Sequence, residues 1–198
     1  MTTKVFVMES KVSERELKRI RIVAVIGNSG SGKTHAVAYL AADKRFNEIV
    51  SYTTRPMRQG ETNGVEHWFV QERDMPPKEK MIAYTEFGGR KYWTVWHQFS
   101  MEKVNLYVID EAGVDYLKEV VKEAPFPVDY LLVRIKRPDL SDIDEARKGR
   151  DQGRFLLPDS EFDFVVVNDG TIGEFEEKLS ALRGRLLEHP RMMDGCHS

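Results

Sequence analysis

Several features are scarce or absent in this sequence, and each absence excludes a class of protein. The 198 residues include one cysteine, Cys196, which rules out a framework of internal disulfides. No apolar run approaches the roughly 20 residues needed to cross a bilayer. The first eleven residues also lack the layout of a signal peptide. We therefore expect a cytoplasmic protein that does not act at a membrane.

The sequence also lacks an excess of charge of either sign. Its 30 Lys and Arg residues and 32 Asp and Glu residues leave a formal net charge of −2. With no basic stretch interleaved with aromatics, we do not expect nucleic acid as a partner. Repeats are absent as well, which excludes a solenoid. At this length we expect a single domain with its own core, as a monomer or a homodimer.

What is present begins with a glycine-rich stretch, GNSGSGKT, at residues 27–34. It fits the phosphate-binding loop pattern G-x-x-x-x-G-K-[ST] at every fixed position. Glycines let successive backbone N–H groups point at phosphate oxygens, Lys33 would neutralise the β- and γ-phosphates, and the Thr34 hydroxyl would hold Mg²⁺. We predict that this loop binds ATP through Gly27, Asn28, Ser29, Gly30, Ser31, Gly32, Lys33 and Thr34.

The sequence around the loop predicts an α/β fold. Residues 21–26 form an apolar run typical of a buried strand, and residues 34–42 have helical composition, so the helix dipole would add to the anion site. Between residues 65 and 95, short aromatic-rich runs separated by Pro76-Pro77 and Gly88-Gly89 predict a small inserted antiparallel sheet. Further core strands are expected at residues 47–51, 105–110, 130–135 and 161–168, and helices at residues 113–123 and 172–186.

Two sets of polar residues have more than one interpretation. Asp110 ends a predicted strand, where it would either lie near Mg²⁺ or cap the following helix; we favour the metal-side role. The polar segment 139–153 and the residue after it carry arginines at helical spacing, which places them on one face. That face is either simply solvated or, as we favour, clamps the transferred phosphoryl group. The arginines concerned are Arg147, Arg150 and Arg154.

A longer motif follows the second predicted strand. Residues 51–70 are SYTTRPMRQGETNGVEHWFV, which resembles the guanylate kinase pattern S-x-T-T-R-x-x-R-x-G-E-x-x-G-x-x-Y-x-F-V. Residues 89–94, GRKYWT, and residues 165–169, VVVND, resemble two further motifs of that family. The resemblance extends over about residues 22–182.

The resemblance implies a phosphate-loop kinase with a five-stranded parallel core sheet flanked by helices, an inserted β-rich monophosphate-binding domain and a helical lid. The expected core segments are about residues 21–50, 98–138 and 155–188. The insertion would cover about residues 51–97 and the lid about residues 139–154. Residues 189–198 are expected to form a disordered tail.

The resemblance also implies roles for the residues at matching positions. The acceptor phosphate would be bound by two arginines, whose bidentate forks suit a phosphate dianion, and by a tyrosine hydroxyl. Catalysis would be carried by Lys33, Arg55 and the lid arginines Arg147 and Arg150. The expected groups are Arg55, Arg58 and Tyr92 at the acceptor phosphate, Ser51 and Thr94 at the acceptor base, and Asn168 and Asp169 near the donor adenine.

Three positions depart from the family pattern. His67 replaces a tyrosine that touches the acceptor phosphate, and it would either bind phosphate or only hydrogen-bond its neighbours. Ala83 replaces the glutamate that accepts from guanine, a role that Glu86 would take if the strand slipped in register. At the family's D-x-D motif only the second acid is present, as Asp110, which is expected at the acceptor as well as near the metal. Losing a carboxylate that makes two hydrogen bonds to guanine weakens base discrimination.

The expected function is ATP- and Mg²⁺-dependent phosphoryl transfer to a nucleoside or deoxynucleoside monophosphate resembling GMP or dGMP, giving the diphosphate. The short lid and changed base site are similar to divergent monophosphate kinases of bacteriophages. One alternative is a kinase of a phosphorylated sugar such as ribose 1,5-bisphosphate, which His67 and Ala83 favour. Another is a non-catalytic guanylate-kinase-like module that binds protein, which the intact loop disfavours.

Overall fold

The computed structural model describes residues 19–139 and 156–193. The predicted lid arginines Arg147, Arg150 and Arg154 therefore lie outside the described residues. The elements in chain order are β1 Ile20–Ile26, α1 Lys33–Ala41, β2 Phe46–Ile49, β3 Tyr52–Thr53, β4 Trp68–Phe69, β5 Met81–Phe87, β6 Arg90–Val95, β7 Val104–Val108, α2 Glu111–Lys122, β8 Val128–Lys136, β9 Phe164–Val167 and α3 Ile172–Glu188.

The larger sheet has five strands in the order β2-β7-β1-β8-β9, and every neighbouring pair is parallel. The central strand β1 is buried along its whole length, as expected for a parallel strand covered on both faces. This confirms the predicted parallel core. Because the carboxyl ends of parallel strands meet at one edge, the segments that follow β1, β7 and β8 come together there.

Alternate residues of β1 face two separate apolar layers. Val23 and Val25 belong to a layer that includes Phe175 of α3, whereas Ile22 and Ala24 belong to a layer that includes residues of α2. Helices α1 and α3 pack against each other on the first side. The sheet is thus covered on both faces, as predicted. Within the described part of the chain, no helix combines the length and apolar character that a membrane span requires.

The last helix and the segment after it differ from two sequence expectations. Phe175, Leu179, Leu182 and Leu186 are buried as the helical spacing predicts, but Ile172 is 62% exposed because it is the first residue of α3, next to the Thr171 cap. The expected disordered tail is also wrong for residues 189–193. Met192 is buried, and its carbonyl oxygen accepts a hydrogen bond from Arg21.

The smaller sheet has four strands in the order β4-β3-β6-β5. Strands β5 and β6 form the predicted antiparallel hairpin, whose turn is made by Gly88 and Gly89 with φ of 57° and 68°. The β3–β6 pair is also antiparallel, but β3 and β4 are parallel. The expectation of a purely antiparallel sheet is therefore wrong, because residues 54–67 bring β4 back alongside β3 in the same direction.

Candidate active site

The loop between β1 and α1 has a backbone that only glycine fits at key positions. Gly32 has φ of 103°, in the left-handed region that favours glycine. A Cβ at Gly27 would lie 2.3 Å from the carbonyl oxygen of Ile135, a backbone atom that cannot easily give way. The loop is therefore packed tightly against the end of β8, and its N–H groups precede the N-terminus of α1, the arrangement that binds anions.

Lys33 adds a positive charge to the same loop. Its ammonium donates hydrogen bonds to the carbonyl oxygens of Gly27 and Asn28, both at 2.6 Å. The side chain is thus folded back over the loop. A phosphate at this position would meet backbone N–H groups, the helix dipole and the lysine charge together.

Two residues that were predicted near the donor adenine lie at the end of β9. The Asn168 amide donates to the carbonyl oxygen of Ser31 at 3.0 Å, which ties the phosphate loop to the neighbouring strand end. Asp169 forms an ion pair with Lys178, and this hydrogen bond lowers the pKa of the aspartate. Asn168 therefore holds the phosphate loop against the end of β9. The contacts of Asn168 and Asp169 with the donor adenine stay predictions.

A cleft of about 240 Å³ lies between the phosphate loop and the small sheet. It is the place where predicted donor-side and acceptor-side residues meet. Asp110, which follows β7, lines the same cleft. The predicted site residues that line the cleft are Gly27, Ser29, Lys33, Ser51, Arg58, His67, Tyr92 and Asp110.

The two predicted phosphate-binding arginines are placed differently. Arg55 is only 9% exposed, and its guanidinium donates two hydrogen bonds to the Glu61 carboxylate, both at 2.8 Å. Glu61 also accepts from the backbone N–H of Arg58 at 2.7 Å. The Arg55 hydrogen bonds lower the pKa of Glu61 to about 2. Arg55 and Glu61 thus hold the loop that presents the exposed Arg58 to the cleft.

Glu61 was not identified as a site residue from the sequence. The signal that could have found it is its place in the motif, three residues after Arg58 and six after Arg55, on a loop with two arginines to neutralise. A carboxylate among clustered arginines often orders them by bidentate hydrogen bonds.

His67 and Ser51 form a hydrogen-bonded pair at the acceptor end of the cleft. The His67 Nδ1 lies 2.9 Å from the Ser51 Oγ, and the His67 ring makes an edge contact with the Tyr92 ring at a centroid distance of 5.5 Å. Burial lowers the pKa of His67, and the positive charge of Arg55 lowers it further. His67 therefore hydrogen-bonds its neighbour Ser51, as one of the two interpretations predicted, and its ring also lines the cleft.

Asp110 caps helix α2, which was the other interpretation of this residue. Its Oδ1 accepts from the backbone N–H of Gly113 at 2.8 Å, and its Oδ2 accepts from the hydroxyl of Thr85 at 3.2 Å. Thr85 was not identified from the sequence either, because a threonine two residues after the altered Ala83 gives no signal of its own. Its contact with Asp110 joins β5 to the end of β7.

Three predicted acceptor residues, Arg55, Thr94 and Glu86, are not among the residues that line the cleft. Thr94 is fully buried within β6. Glu86 is exposed and pairs across the hairpin with Lys91, and its carboxylate accepts from the Tyr84 hydroxyl at 3.2 Å. Glu86 lies on the opposite face of β5 from Thr85, so the structure does not bring it to the cleft with the other acceptor residues. Ala83 is itself a buried core residue.

Comparisons of this sequence with a family model and with individual known proteins point to the same family. The family model described as guanylate kinase matches residues 19–188. The chain is 30% identical over 179 residues to a guanylate kinase from Bdellovibrio bacteriovorus, covering 80% of this chain and 96% of that relative. It is 31% identical over 168 residues to a guanylate kinase from Neisseria gonorrhoeae, covering 75% and 80%.

A solved guanylate kinase structure from Anaplasma phagocytophilum has a similar fold. The TM-score is 0.60 at 21% identity, and the match covers 91% of this chain and 93% of that one. The likeness extends across the core sheet and the inserted small sheet alike, because so little of either chain lies outside it. The architecture described above is therefore shared with that structure.

Proposed function

Because this chain belongs to the guanylate kinase family, we propose that it transfers the γ-phosphoryl group of ATP to a guanine nucleoside monophosphate, GMP or dGMP, giving the diphosphate and ADP. The chain is an enzyme of the nucleoside monophosphate kinase class. The observation that carries the proposal is the cleft in which Lys33 and the phosphate loop lie opposite Arg58, His67 and Tyr92.

On the donor side, the loop would hold the ATP phosphates with its backbone N–H groups and with Lys33. The lysine would exchange the carbonyl oxygens of Gly27 and Asn28 for phosphate oxygens, since an ammonium makes stronger hydrogen bonds to an anion than to a carbonyl. Asn168 keeps the loop in place through Ser31. Such positioning and charge neutralisation supply most of the catalysis in phosphoryl transfer.

On the acceptor side, Arg58 would hold the monophosphate with hydrogen bonds from Tyr92 and His67. Arg55 acts mainly through Glu61, because its guanidinium is already committed to that carboxylate. A fixed arginine loop positions the acceptor oxygen against the γ-phosphorus, and correct alignment contributes several kcal/mol in reactions of this kind. No covalent intermediate with the enzyme is required.

The donor side has the chemistry that Mg²⁺ needs. This ion binds hard oxygen ligands and usually takes one or two from the protein, the rest coming from phosphates and water. The Thr34 hydroxyl, at the start of α1 beside Lys33, fits that requirement, and bound Mg²⁺ would neutralise charge on the transferring phosphate. We assign Asp110 to the acceptor instead of the metal, because its oxygens are bonded toward α2 and β5.

The sugar-phosphate alternative is supported by the histidine at position 67 and by Ala83, which is buried where a base-reading carboxylate was expected. The protein-binding module is disfavoured, because such a role would not require Lys33 or the close packing of Gly27. Both are tested by the same assay as the proposed function.

The test is a coupled ADP-release assay with ATP and Mg²⁺ and a panel of acceptors. The panel contains GMP, dGMP, the other ribo- and deoxyribonucleoside monophosphates and ribose 1,5-bisphosphate. We expect the highest kcat/KM with GMP or dGMP. Turnover with the sugar alone would support the first alternative, and no turnover with any acceptor would support a binding module.

A further inference from the structure

The proposed function does not say which side chains recognise the base, and the inference below rests on that function. Among the described residues that line the cleft, Asp110 is the only one with a carboxylate. Its Oδ1 is used by the α2 cap, and its Oδ2 faces Thr85 on the small sheet. Asp110 therefore presents Oδ2 toward the small sheet, while its Oδ1 holds the start of α2.

Thr85 supplies a second acceptor beside Asp110. A hydroxyl donates to a carboxylate and not the reverse, so the Thr85 proton is directed at Asp110 Oδ2, 3.2 Å away. The Thr85 oxygen keeps its lone pairs, and Oδ2 can accept a second hydrogen bond. Two acceptors from different elements thus lie side by side at the edge of the cleft.

The position of Thr85 is fixed by the strands around it. It is paired with Tyr92 across the β5–β6 hairpin, and Phe87, two residues further along β5, lines the same cleft. Side chains two residues apart on a strand share a face. Thr85 therefore faces the cleft between Tyr92 of the acceptor side and Asp110 of the core sheet.

Guanine carries two adjacent hydrogen-bond donors on one edge, the N1–H and the 2-amino group. Adenine has a lone pair at N1 and a C–H at position 2, and it would leave both protein acceptors without a partner. A site built to hydrogen-bond a substrate group rejects an analogue that lacks the group. We propose that Thr85 and Asp110 together form the acceptor pair that recognises the guanine edge of the monophosphate.

The test compares Thr85→Val, which keeps the shape and loses the hydroxyl, with Thr85→Ser, which keeps the hydroxyl. Tyr84→Phe is the matched control, since it removes a hydroxyl from the opposite face of the same strand. For each protein, kcat and KM are measured with GMP, and AMP is measured as a competitive inhibitor. We expect Thr85→Val to lower kcat/KM for GMP at least about tenfold, mainly through KM.

The inhibition constant of AMP should change less than about twofold in Thr85→Val, because AMP has no donors for the pair. Thr85→Ser should restore most of the GMP activity, and Tyr84→Phe should match the wild type. Unchanged GMP kinetics in Thr85→Val, or an equal weakening of GMP and AMP, would overturn the proposal, the second because a purely structural defect affects both nucleotides.

Calorimetric titration of GMP and AMP separates this inference from the proposed function. If the wild type binds GMP more tightly than AMP and Thr85→Val reduces that preference, the acceptor pair stands even without phosphoryl transfer. If the wild type binds GMP and AMP equally, or binds neither, the acceptor pair is wrong whatever the outcome of the activity assay.

Discussion

The donor and acceptor sides of the cleft are built in different ways. The donor side is one contiguous loop, and its anion-binding groups are backbone N–H groups held by glycines that pack against β8 and α3. The acceptor side consists of side-chain pairs from separate elements: Ser51 with His67, Arg55 with Glu61, and Thr85 with Asp110. A backbone site tolerates little change, whereas side-chain pairs can be exchanged one at a time, so substrate choice can change without loss of the donor chemistry.

The largest effect is expected from Lys33→Ala on the donor side. Removing this charge from the phosphate loop should lower kcat by about a thousandfold or more, because charge neutralisation dominates phosphoryl transfer. Circular dichroism should show an intact fold, since Lys33 donates hydrogen bonds to two carbonyls of its own loop and lies outside the apolar core. Lys44→Ala, on the exposed turn after α1, is the control. Near-wild-type turnover in Lys33→Ala would contradict the donor assignment.

The second prediction tests whether the donor loop depends on its backbone. Gly27→Ala should destabilise the protein by about 2–4 kcal/mol, because its Cβ would press on the Ile135 carbonyl. Gly173→Ala has open space around the new Cβ and lies in α3, so it should be neutral or slightly stabilising, by about 0.5 kcal/mol. Urea unfolding measures both. Equal stability of the two variants would show that the loop is not packed as described.

The third prediction concerns the acceptor side alone. Glu61→Gln removes the charge that holds Arg55, so we expect the KM for GMP to rise about tenfold while the KM for ATP stays unchanged. The Glu61 pKa of about 2 also predicts that this pair stabilises the fold above about pH 4.5 and contributes less as pH falls toward 2. Equal changes in both KM values would mean that the two sides are not independent.

The smallest effect is expected at His67. Burial and Arg55 lower its pKa in the folded protein, so the unfolded chain takes up a proton first as the pH falls below about 6.5. The histidine therefore reduces stability progressively below that pH. His67→Gln should show a weaker loss of stability between about pH 6.5 and 5, measured by urea unfolding at several pH values. A steeper loss in the variant would contradict a buried neutral imidazole.

The sequence predicted the backbone structure of the donor side well, because the phosphate-loop pattern lies within one short continuous stretch. Residues 27–34 determine the loop by themselves, and the flanking apolar runs predicted the strand and helix that hold it. The parallel core sheet, in contrast, followed from the family resemblance, and the structure confirms it. Local pattern and resemblance together therefore positioned the donor loop.

The acceptor side was harder to predict because it depends on contacts between distant segments. Thr85 faces the cleft and Glu86 faces away because of the phase of β5, which is shifted by an irregularity between Met81 and Ala83. A change of one residue in strand phase moves a side chain to the other face. The parallel pairing of β4 with β3 likewise depends on where a fourteen-residue connection returns, and no local pattern encodes that.

We propose that the two sides of the cleft together transfer a phosphoryl group. The most direct measurement is phosphorus NMR of a reaction that contains the protein, ATP, Mg²⁺ and GMP. We expect the ATP and GMP signals to decrease while those of ADP and GDP appear together in equal amounts. Formation of ADP with inorganic phosphate and no GDP, or no loss of ATP at all, would contradict it.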